Sequence, residues 1–227
     1  MNIDPSPAEL TELDAARIRL ANAIRAVSHG VIGHDSDPEI LHRLAETLEE
    51  AVPGIESGPT RDRLLVSWEQ RLEGPPPTHG EVLSSGILRP VYGPGNPFGL
   101  PYEPRVDGHD VVTTVSLGSA HEGAPGRSHG GVVAALFDDL MGFLLDVEQT
   151  IAFTGWLRVT YRGAVPINEP VEYRARVAAR NGRKLSMAGE ARHDGQVVIE
   201  ADALFIELQP DFFQSLMGED EAAATDP

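Results

Sequence analysis

SHGGVVAALFDDLMGFLLD, residues 128–146, is the stretch that decides the fold. At about 100° per residue, its apolar side chains cover about half of a helix circumference, which is more than an exposed helix carries. They are Val132, Val133, Leu136, Phe137, Leu140, Met141, Phe143 and Leu144. The remaining side carries Asp138 among alanine and glycine. We therefore predict a buried helix from His129 to Asp146, with one carboxylate placed where a ligand or another backbone can approach.

The start of this helix has its own chemistry. Gly130 and Gly131 fall where the first backbone N–H groups of a helix have no partner within the helix, and without side chains they let an oxygen approach. The partial positive charge of a helix N-terminus favours an oxygen that gains negative charge. Two alternatives stay open: the glycines form only a tight entry into the helix, and Asp138 and Asp139 are solvated surface residues.

Five β-like stretches surround the predicted helix in the sequence. They are Val111–Leu117 before it, and Ile151–Ala164, Val171–Arg180, Lys184–His193 and Gln196–Leu208 after it. The dipeptides Asn181-Gly182 and Asp194-Gly195 tolerate the positive φ angles of two-residue hairpin turns. The last three strands are therefore expected to form an antiparallel meander. One long helix followed by a meander predicts an α+β domain in which the sheet wraps the helix.

The first 79 residues have a different pattern, which is typical of helices. Apolar spacing predicts three helical stretches, and we take the proline-rich segment after the third as the domain boundary. The stretches are Pro7–Val27 with a stop at Ser28-His29-Gly30, a second from Asp37 to Pro53-Gly54, and Arg61–Leu72. We expect a helical extension over 1–79, the main domain over 80–210 and an acidic, disordered tail over 211–227. Between Gly80 and Gly108 we expect loop with one short strand near Ile87.

Composition excludes several classes of function. The 227 residues include no cysteine, which excludes disulfides, thiol catalysis and cysteine-ligated metals. A net charge of -17 disfavours binding to nucleic acid or to an anionic membrane. No basic leader or long apolar run is present, so we expect an untargeted protein of the cytoplasm.

The acidity is uneven along the chain. Between Arg158 and Arg192 there are eight basic residues against three acidic ones. A local cationic strip on an acidic protein favours a small anionic ligand.

The sequence resembles a known family. His129-Gly130-Gly131 with Asp138 nine residues after the histidine is similar to the signature of hotdog-fold thioesterases of the PaaI and 4-hydroxybenzoyl-CoA type, and of long-chain acyl-CoA thioesterases with an N-terminal extension. TGWLRVTYRGAVP, residues 154–166, resembles their strand after the helix, and residues 181–208 resemble their closing strands. The resemblance covers about half the chain, from Asn96 to Leu208.

The resemblance implies an acyl-CoA thioesterase and assigns a role to each matching residue. Asp138 would act as nucleophile or as general base for water. Gly131 would donate its N–H to the thioester oxygen, with Gly130 lining the same site, and His129 would position that carbonyl. Thr154 would reach the site from a neighbouring subunit and orient water or the carboxylate.

The resemblance also implies a homodimer, with a dimer of dimers as an alternative, and no cofactor or metal. Because coenzyme A carries three phosphate groups, Arg183 and Lys184 are candidates to hold its nucleotide end. Ordinary surface solubility is the alternative for each. The sequence does not specify acyl length or the carrier of the thioester.

Other residues receive structural interpretations. The spacing of His109, His121 and His129 fits no metal site, and His29 is assigned to the surface of the extension. We assign Asp139 to the helix surface or an interface, with a carboxylate pair of raised pKa as the alternative. Near Thr154, Phe153 and Trp156 are expected in the core.

Two further functions stay open at this point. One is hydration or dehydration of an acyl thioester, which relatives perform with a histidine–carboxylate pair at other positions. The other is a non-catalytic acyl-binding module whose extension serves regulation or assembly. The position of Asp138 after His129-Gly130-Gly131 favours hydrolysis over hydration.

Overall fold

The computed structural model describes residues 10–61, 74–84, 86–100 and 102–209. Within these residues, two helices, α1 (Glu12–Gly33) and α2 (Pro38–Glu56), precede an antiparallel sheet that packs against a further helix, α3 (Gly130–Val147). The third helical stretch and the acidic tail expected from the sequence lie almost wholly outside the described residues. The predicted α+β architecture is confirmed.

Six strands form one sheet with the order β1-β2-β4-β5-β6-β3. They are β1 (Arg105–Asp107), β2 (Asp110–Val115), β3 (Ala152–Tyr161), β4 (Val171–Asn181), β5 (Lys184–His193) and β6 (Gln196–Glu207). The predicted meander of β4, β5 and β6 is confirmed, with positive φ at Gly182 (56°) and Gly195 (74°) in its two turns. Strand β3 lies at one edge, with β6 on one side and no described strand on the other.

The core lies between α3 and the sheet. Nine residues of α3 are buried: Val133, Leu136, Phe137, Asp139, Leu140, Met141, Phe143, Leu144 and Leu145. Each large apolar side chain buried here contributes roughly 1.5–3 kcal/mol. Gly189 of β5 lets the helix come close, because a Cβ there would lie 2.9 Å from the Phe137 ring. Helix α3 is therefore fixed against the sheet over most of its length.

The loop before the sheet differs from its prediction. Ile87 lies in a turn, so the strand expected there is wrong. The chain forms β1 instead, and Val82 makes an isolated bridge to Arg105. A three-residue strand carries no recognisable alternation, and its position depends on pairing with β2 rather than on its own residues.

Both N-terminal helices run past their predicted ends. Helix α1 continues through the expected stop at Gly30 to Gly33, and α2 continues past Pro53 to Glu56. A glycine inside a helix costs only about 1 kcal/mol, and for Gly30 of α1 the neighbouring His29–Ala120 contact offsets this cost. The start of α2 is as predicted, with Asp37 as the N-cap.

Helix α1 packs directly on two loops, one before β1 and one between β2 and α3. Arg25 donates hydrogen bonds to the carbonyls of Asn96 (2.5 Å) and Pro94 (2.9 Å). His29 is half-buried, not on the surface as expected, and its Nδ1 accepts from the Ala120 N–H at 3.1 Å. Ala120 belongs to a short 3-10 turn, Ser119–His121, so α1 holds the segment that leads into α3.

The 3-10 turn makes the fold sensitive to acid. Burial lowers the pKa of His121 to about 4, and its Nδ1 accepts from the Gly118 N–H at 3.3 Å. In the unfolded chain His121 takes up a proton near the ordinary histidine pKa of 6.5, whereas in the folded chain it does so only near pH 4. The stability that uncharged His121 contributes to the fold is therefore complete above pH 6.5 and is lost as the pH falls from 6.5 to 4. The side-chain oxygen of His121→Asn still accepts that hydrogen bond but does not titrate. Between neutral pH and pH 5, we therefore expect wild type to lose about 1–2 kcal/mol more of its free energy of unfolding than this variant loses.

Urea unfolding at both pH values measures this difference. His109→Asn is the matched control, because His109 is exposed. Equal pH dependence in wild type and His121→Asn would contradict the assignment to His121.

No helix within the described ranges combines the length and apolar character needed to cross a membrane.

Candidate active site

The first turn of α3 is capped by its own histidine. His129 is the N-cap residue, and its Nδ1 accepts a hydrogen bond from the Gly131 N–H at 3.0 Å. The backbone of His129 is also held in place, because its own N–H donates to the carbonyl of His121 at 2.8 Å. The Gly131 amide therefore already has a partner in this conformation.

The Gly130 amide differs from its neighbours. The N–H groups of Val132 and Val133 donate to the His129 carbonyl, and Gly131 donates to the His129 side chain. The Gly130 N–H has no hydrogen-bond partner among the described residues. Of the first four amides of α3, this one is open to an incoming oxygen. The geometry thus favours Gly130 over Gly131 as donor, which modifies the expectation from the sequence.

Asp138 lies two turns further along the helix. Its carboxylate is partly exposed and accepts a hydrogen bond from the Thr154 hydroxyl of the same chain at 2.9 Å. The sequence-based expectation has Thr154 reach the site from a neighbouring subunit, whereas this hydrogen bond lies within one chain. Strand β3 has a bulge between Thr154 and Trp156, at Gly155, and bulges of this kind redirect a neighbouring side chain. The Asp138 carboxylate is thus fixed in orientation by the Thr154 hydroxyl group.

The open Gly130 amide and the Asp138 carboxylate do not come together within one chain. Gly130 and Asp138 are separated by about 12 Å along the helix and by about 80° around it. The sequence brings both to one helix, but the helix itself keeps the open amide and the carboxylate apart.

Asp139 was assigned to the helix surface or an interface, and the structure buries it. Arg89 donates to its Oδ1 at 2.6 Å, and the Tyr102 hydroxyl donates to its Oδ2. The Arg89 guanidinium also lies 4.6 Å from the centre of the Phe143 ring. Burial raises the pKa of Asp139, and the charge of neighbouring Asp138 adds to that rise. This cluster joins α3 to the loop before the sheet.

Sequence reasoning missed Arg89 and Tyr102. The signal that existed was Asp139 itself, which falls between Leu136 and Phe143 on the apolar face of α3. A carboxylate on a buried face requires a cation or hydrogen-bond donors.

The cationic strip is largely neutralised by acids, most of which lie on other strands. Five of its arginines form ion pairs: Arg158–Asp202 (2.8 Å), Arg162–Glu200 (2.7 Å), Arg174–Asp107 (2.6 Å), Arg180–Glu207 (2.7 Å) and Arg192–Glu190 (2.7 Å). The strip is therefore not a free anion-binding surface, because β6 and β1 supply acids from other strands and Glu190 pairs with Arg192 on β5 itself. Arg183 and Lys184 are exposed and form no ion pair with a described residue. These two stay candidates for phosphate contacts.

Two aromatic residues of β3 also differ from expectation. Phe153 and Trp156 are exposed at 43% and 48%, rather than in the core. They lie with Tyr161, which is exposed at 49%, on the edge strand of the sheet.

Within the described part of the chain, no group of three or more histidine, aspartate or glutamate side chains is arranged to hold a metal ion. His121 and His29 contact each other edge to face at 4.9 Å instead.

Comparison with known proteins agrees with this architecture, although no family model matches the chain. The acyl-coenzyme A thioesterase THEM4 of Mus musculus is 34% identical over 103 residues, covering 43% of this chain and 44% of that protein. The protein of the same name from Rattus norvegicus is 31% identical over 103 residues, covering 44% of each. The chain thus matches less than half the length of these curated relatives.

A crystal structure described as that of a thioesterase superfamily protein is similar over nearly the whole chain. It has a TM-score of 0.70 and 27% identity, and the match covers 89% of this chain and 93% of that one. The match extends beyond the sheet and α3, since the segment from the start of β1 to the end of β6 spans only about half of the sequence. The resemblance to hotdog-fold thioesterases is confirmed, and the chain has the hotdog fold.

Proposed function

We propose that this protein hydrolyses an acyl-CoA thioester to a free acid and coenzyme A. One observation carries the proposal: on the central helix of a hotdog fold, a partly exposed carboxylate, Asp138, is held by the Thr154 hydroxyl at 2.9 Å among residues with almost no side chain. The curated relatives named acyl-coenzyme A thioesterase support the substrate class.

Asp138 serves the reaction as base or as nucleophile. As a base it removes a proton from water while the oxygen of that water adds to the thioester carbon. As a nucleophile it adds to that carbon itself, and water then hydrolyses the acyl–aspartyl anhydride. In both routes the carbon–sulfur bond breaks, and the departing thiolate of coenzyme A takes up a proton. The Thr154 hydrogen bond fixes the carboxylate in either case.

The thioester oxygen needs a donor while it carries negative charge, and the open Gly130 amide is suited to that role. A carboxylate at attack distance and an amide hydrogen-bonded to the same carbonyl group lie no more than about 8–10 Å apart. One chain separates Gly130 from Asp138 by more than that. We therefore propose a homodimer in which the α3 N-terminus of one subunit, with Gly130 and His129, faces Asp138 and Thr154 of the other.

The edge of the sheet supports this assembly. Strand β3 carries exposed Trp156 and Tyr161, and it has a neighbouring strand on one side only among the described residues. An edge strand presents unpaired backbone N–H and C=O groups that can pair with another chain, and a homodimer supplies such a chain. Pairing of β3 with its copy also brings the Asp138–Thr154 contact of each subunit close to the interface.

Arg183 and Lys184 are our candidates for the phosphate groups of coenzyme A. They stand at the β4–β5 turn, exposed and outside the ion pairs that occupy most of the strip. Basic side chains that are not already paired keep their hydrogen-bond donors for a phosphate.

Thiol release from a panel of short, long and aromatic acyl-CoAs tests the proposal. We expect the wild-type protein to release free thiol with at least one of them at a rate well above the rate without enzyme. The free acid and coenzyme A should appear in equal amounts. Binding of an acyl-CoA without thiol release would support a non-catalytic module, and addition of water across an acyl double bond would support a hydratase. Either outcome would overturn hydrolysis.

A further inference from the structure

A hydrogen-bond chain runs through the first peptide group of α3. The Tyr161 hydroxyl, at the end of β3, donates to the Gly130 carbonyl at 2.6 Å. That carbonyl belongs to the same peptide group as the Gly131 N–H, which donates to His129 Nδ1 at 3.0 Å. Tyr161 is therefore connected to His129 through one peptide group, with a donor and an acceptor matched at each step.

This series of hydrogen bonds has a direct chemical consequence for His129. Because Nδ1 accepts a hydrogen bond, the proton of the neutral imidazole lies on Nε2. A hydrogen bond donated to a peptide carbonyl also strengthens the N–H of that peptide as a donor, so the Tyr161 bond reinforces the hold of Gly131 on the imidazole. The exposed His129 ring thus presents an N–H group rather than a lone pair.

The position is built for this contact. A Cβ on Gly130 would lie 2.9 Å from the Tyr161 hydroxyl oxygen, so glycine at this site admits the hydroxyl. Burial raises the pKa of Tyr161, which keeps the hydroxyl protonated and able to donate. The same strand carries Thr154, which holds Asp138. Strand β3 therefore contacts both chemical features of α3, one near each end of the strand.

We propose that Tyr161 is a positioning residue for the reaction: it holds the Gly130–Gly131 peptide group and, through it, the Nε2–H tautomer of His129. The inference rests on the proposed thioesterase function. Tyr161 acts indirectly, through the first peptide group of α3, and does not itself contact the reacting atoms.

Tyr161→Phe tests the inference, because it removes one oxygen from a half-exposed ring. We expect kcat for thiol release to fall about tenfold, in line with the loss of one hydrogen bond, while KM changes by less than about twofold. Tyr173→Phe is the matched control. It removes the same atom from a tyrosine of β4 whose hydroxyl has no partner among the described residues, so kcat should stay at the wild-type value.

Nitrogen NMR of the His129 imidazole gives a readout that does not depend on activity. Wild type and Tyr173→Phe should show the Nε2–H tautomer, and Tyr161→Phe should show a mixture of tautomers. A wild-type tautomer together with wild-type kcat in Tyr161→Phe would overturn the inference. So would a change in KM alone. If wild type released no thiol from any acyl-CoA, the proposed function would fail, and the NMR comparison would still decide whether Tyr161 sets the tautomer.

Discussion

Asp138→Asn is expected to lower kcat for thiol release by a factor of about 10²–10⁴, because the amide can neither remove a proton from water nor attack the thioester carbon. The amide oxygen can still accept the Thr154 hydrogen bond, so the fold and the affinity for acyl-CoA should change little. Steady-state kinetics, with unfolding curves for both proteins, measures these quantities separately.

Asp146→Asn is the matched control for this variant. Asp146 lies on the same helix two turns further on, and the substitution changes the net charge by the same amount. The control should keep wild-type kcat. Comparable losses in both variants would mean that the negative charge of α3 in general, rather than the Asp138 carboxylate, supports the reaction.

Arg89→Met is expected to lower the free energy of unfolding by about 3 kcal/mol, the cost of leaving one partner of a buried ion pair without the other. Among the described residues, Asp139 would keep the Tyr102 hydroxyl as its partner, and the guanidinium contact with Phe143 would be lost. Urea denaturation at neutral pH measures the effect as a lower midpoint with an unchanged slope.

An exposed ion pair supplies the comparison for Arg89. Arg158 and Asp202 pair across β3 and β6 with side chains exposed at 70% and 47%. Arg158→Met should leave the urea midpoint near that of wild type, since exposed pairs contribute little. If Arg89→Met proved no more destabilising than Arg158→Met, the Asp139 cluster would not be what fixes α3 to the preceding loop.

Local patterns were sufficient for the elements that form the core. The apolar face of α3 and the glycine turns at Gly182 and Gly195 are properties of short segments, and each predicted the structure that is observed. The sequence of β4 also alternates apolar with charged residues, and its Val171, Tyr173 and Ala175 are buried.

Features that depend on distant residues were not predictable in this way. Arg89 and Asp139 are 50 residues apart, and nothing near Arg89 indicates an ion-pair partner. The end of α1 was misplaced for a similar reason, because His29 and Gly30 form a stop signal locally while His29 contacts Ala120 in the fold. The neutralisation of the cationic strip was not predictable either, since four of the five acids that pair with it lie outside the strip in sequence.

The candidate site was predictable in its residues but not in its arrangement. The resemblance selected His129, Gly130, Gly131, Asp138 and Thr154, and the structure brings Asp138 and Thr154 together. Which amide is open depends on how the His129 ring is oriented, and the separation of Gly130 from Asp138 follows from helix geometry. The second subunit that we propose follows from this separation.

A structure of the Asp138→Asn protein with an unhydrolysed acyl-CoA bound tests the central claim most directly. We expect the thioester carbon to lie within roughly 3–4 Å of the residue 138 side chain or of a water molecule bound to it. The thioester oxygen should accept a hydrogen bond from the Gly130 N–H of the facing subunit. A thioester bound elsewhere, or a residue 138 side chain that faces bulk solvent away from the ligand, would contradict the account.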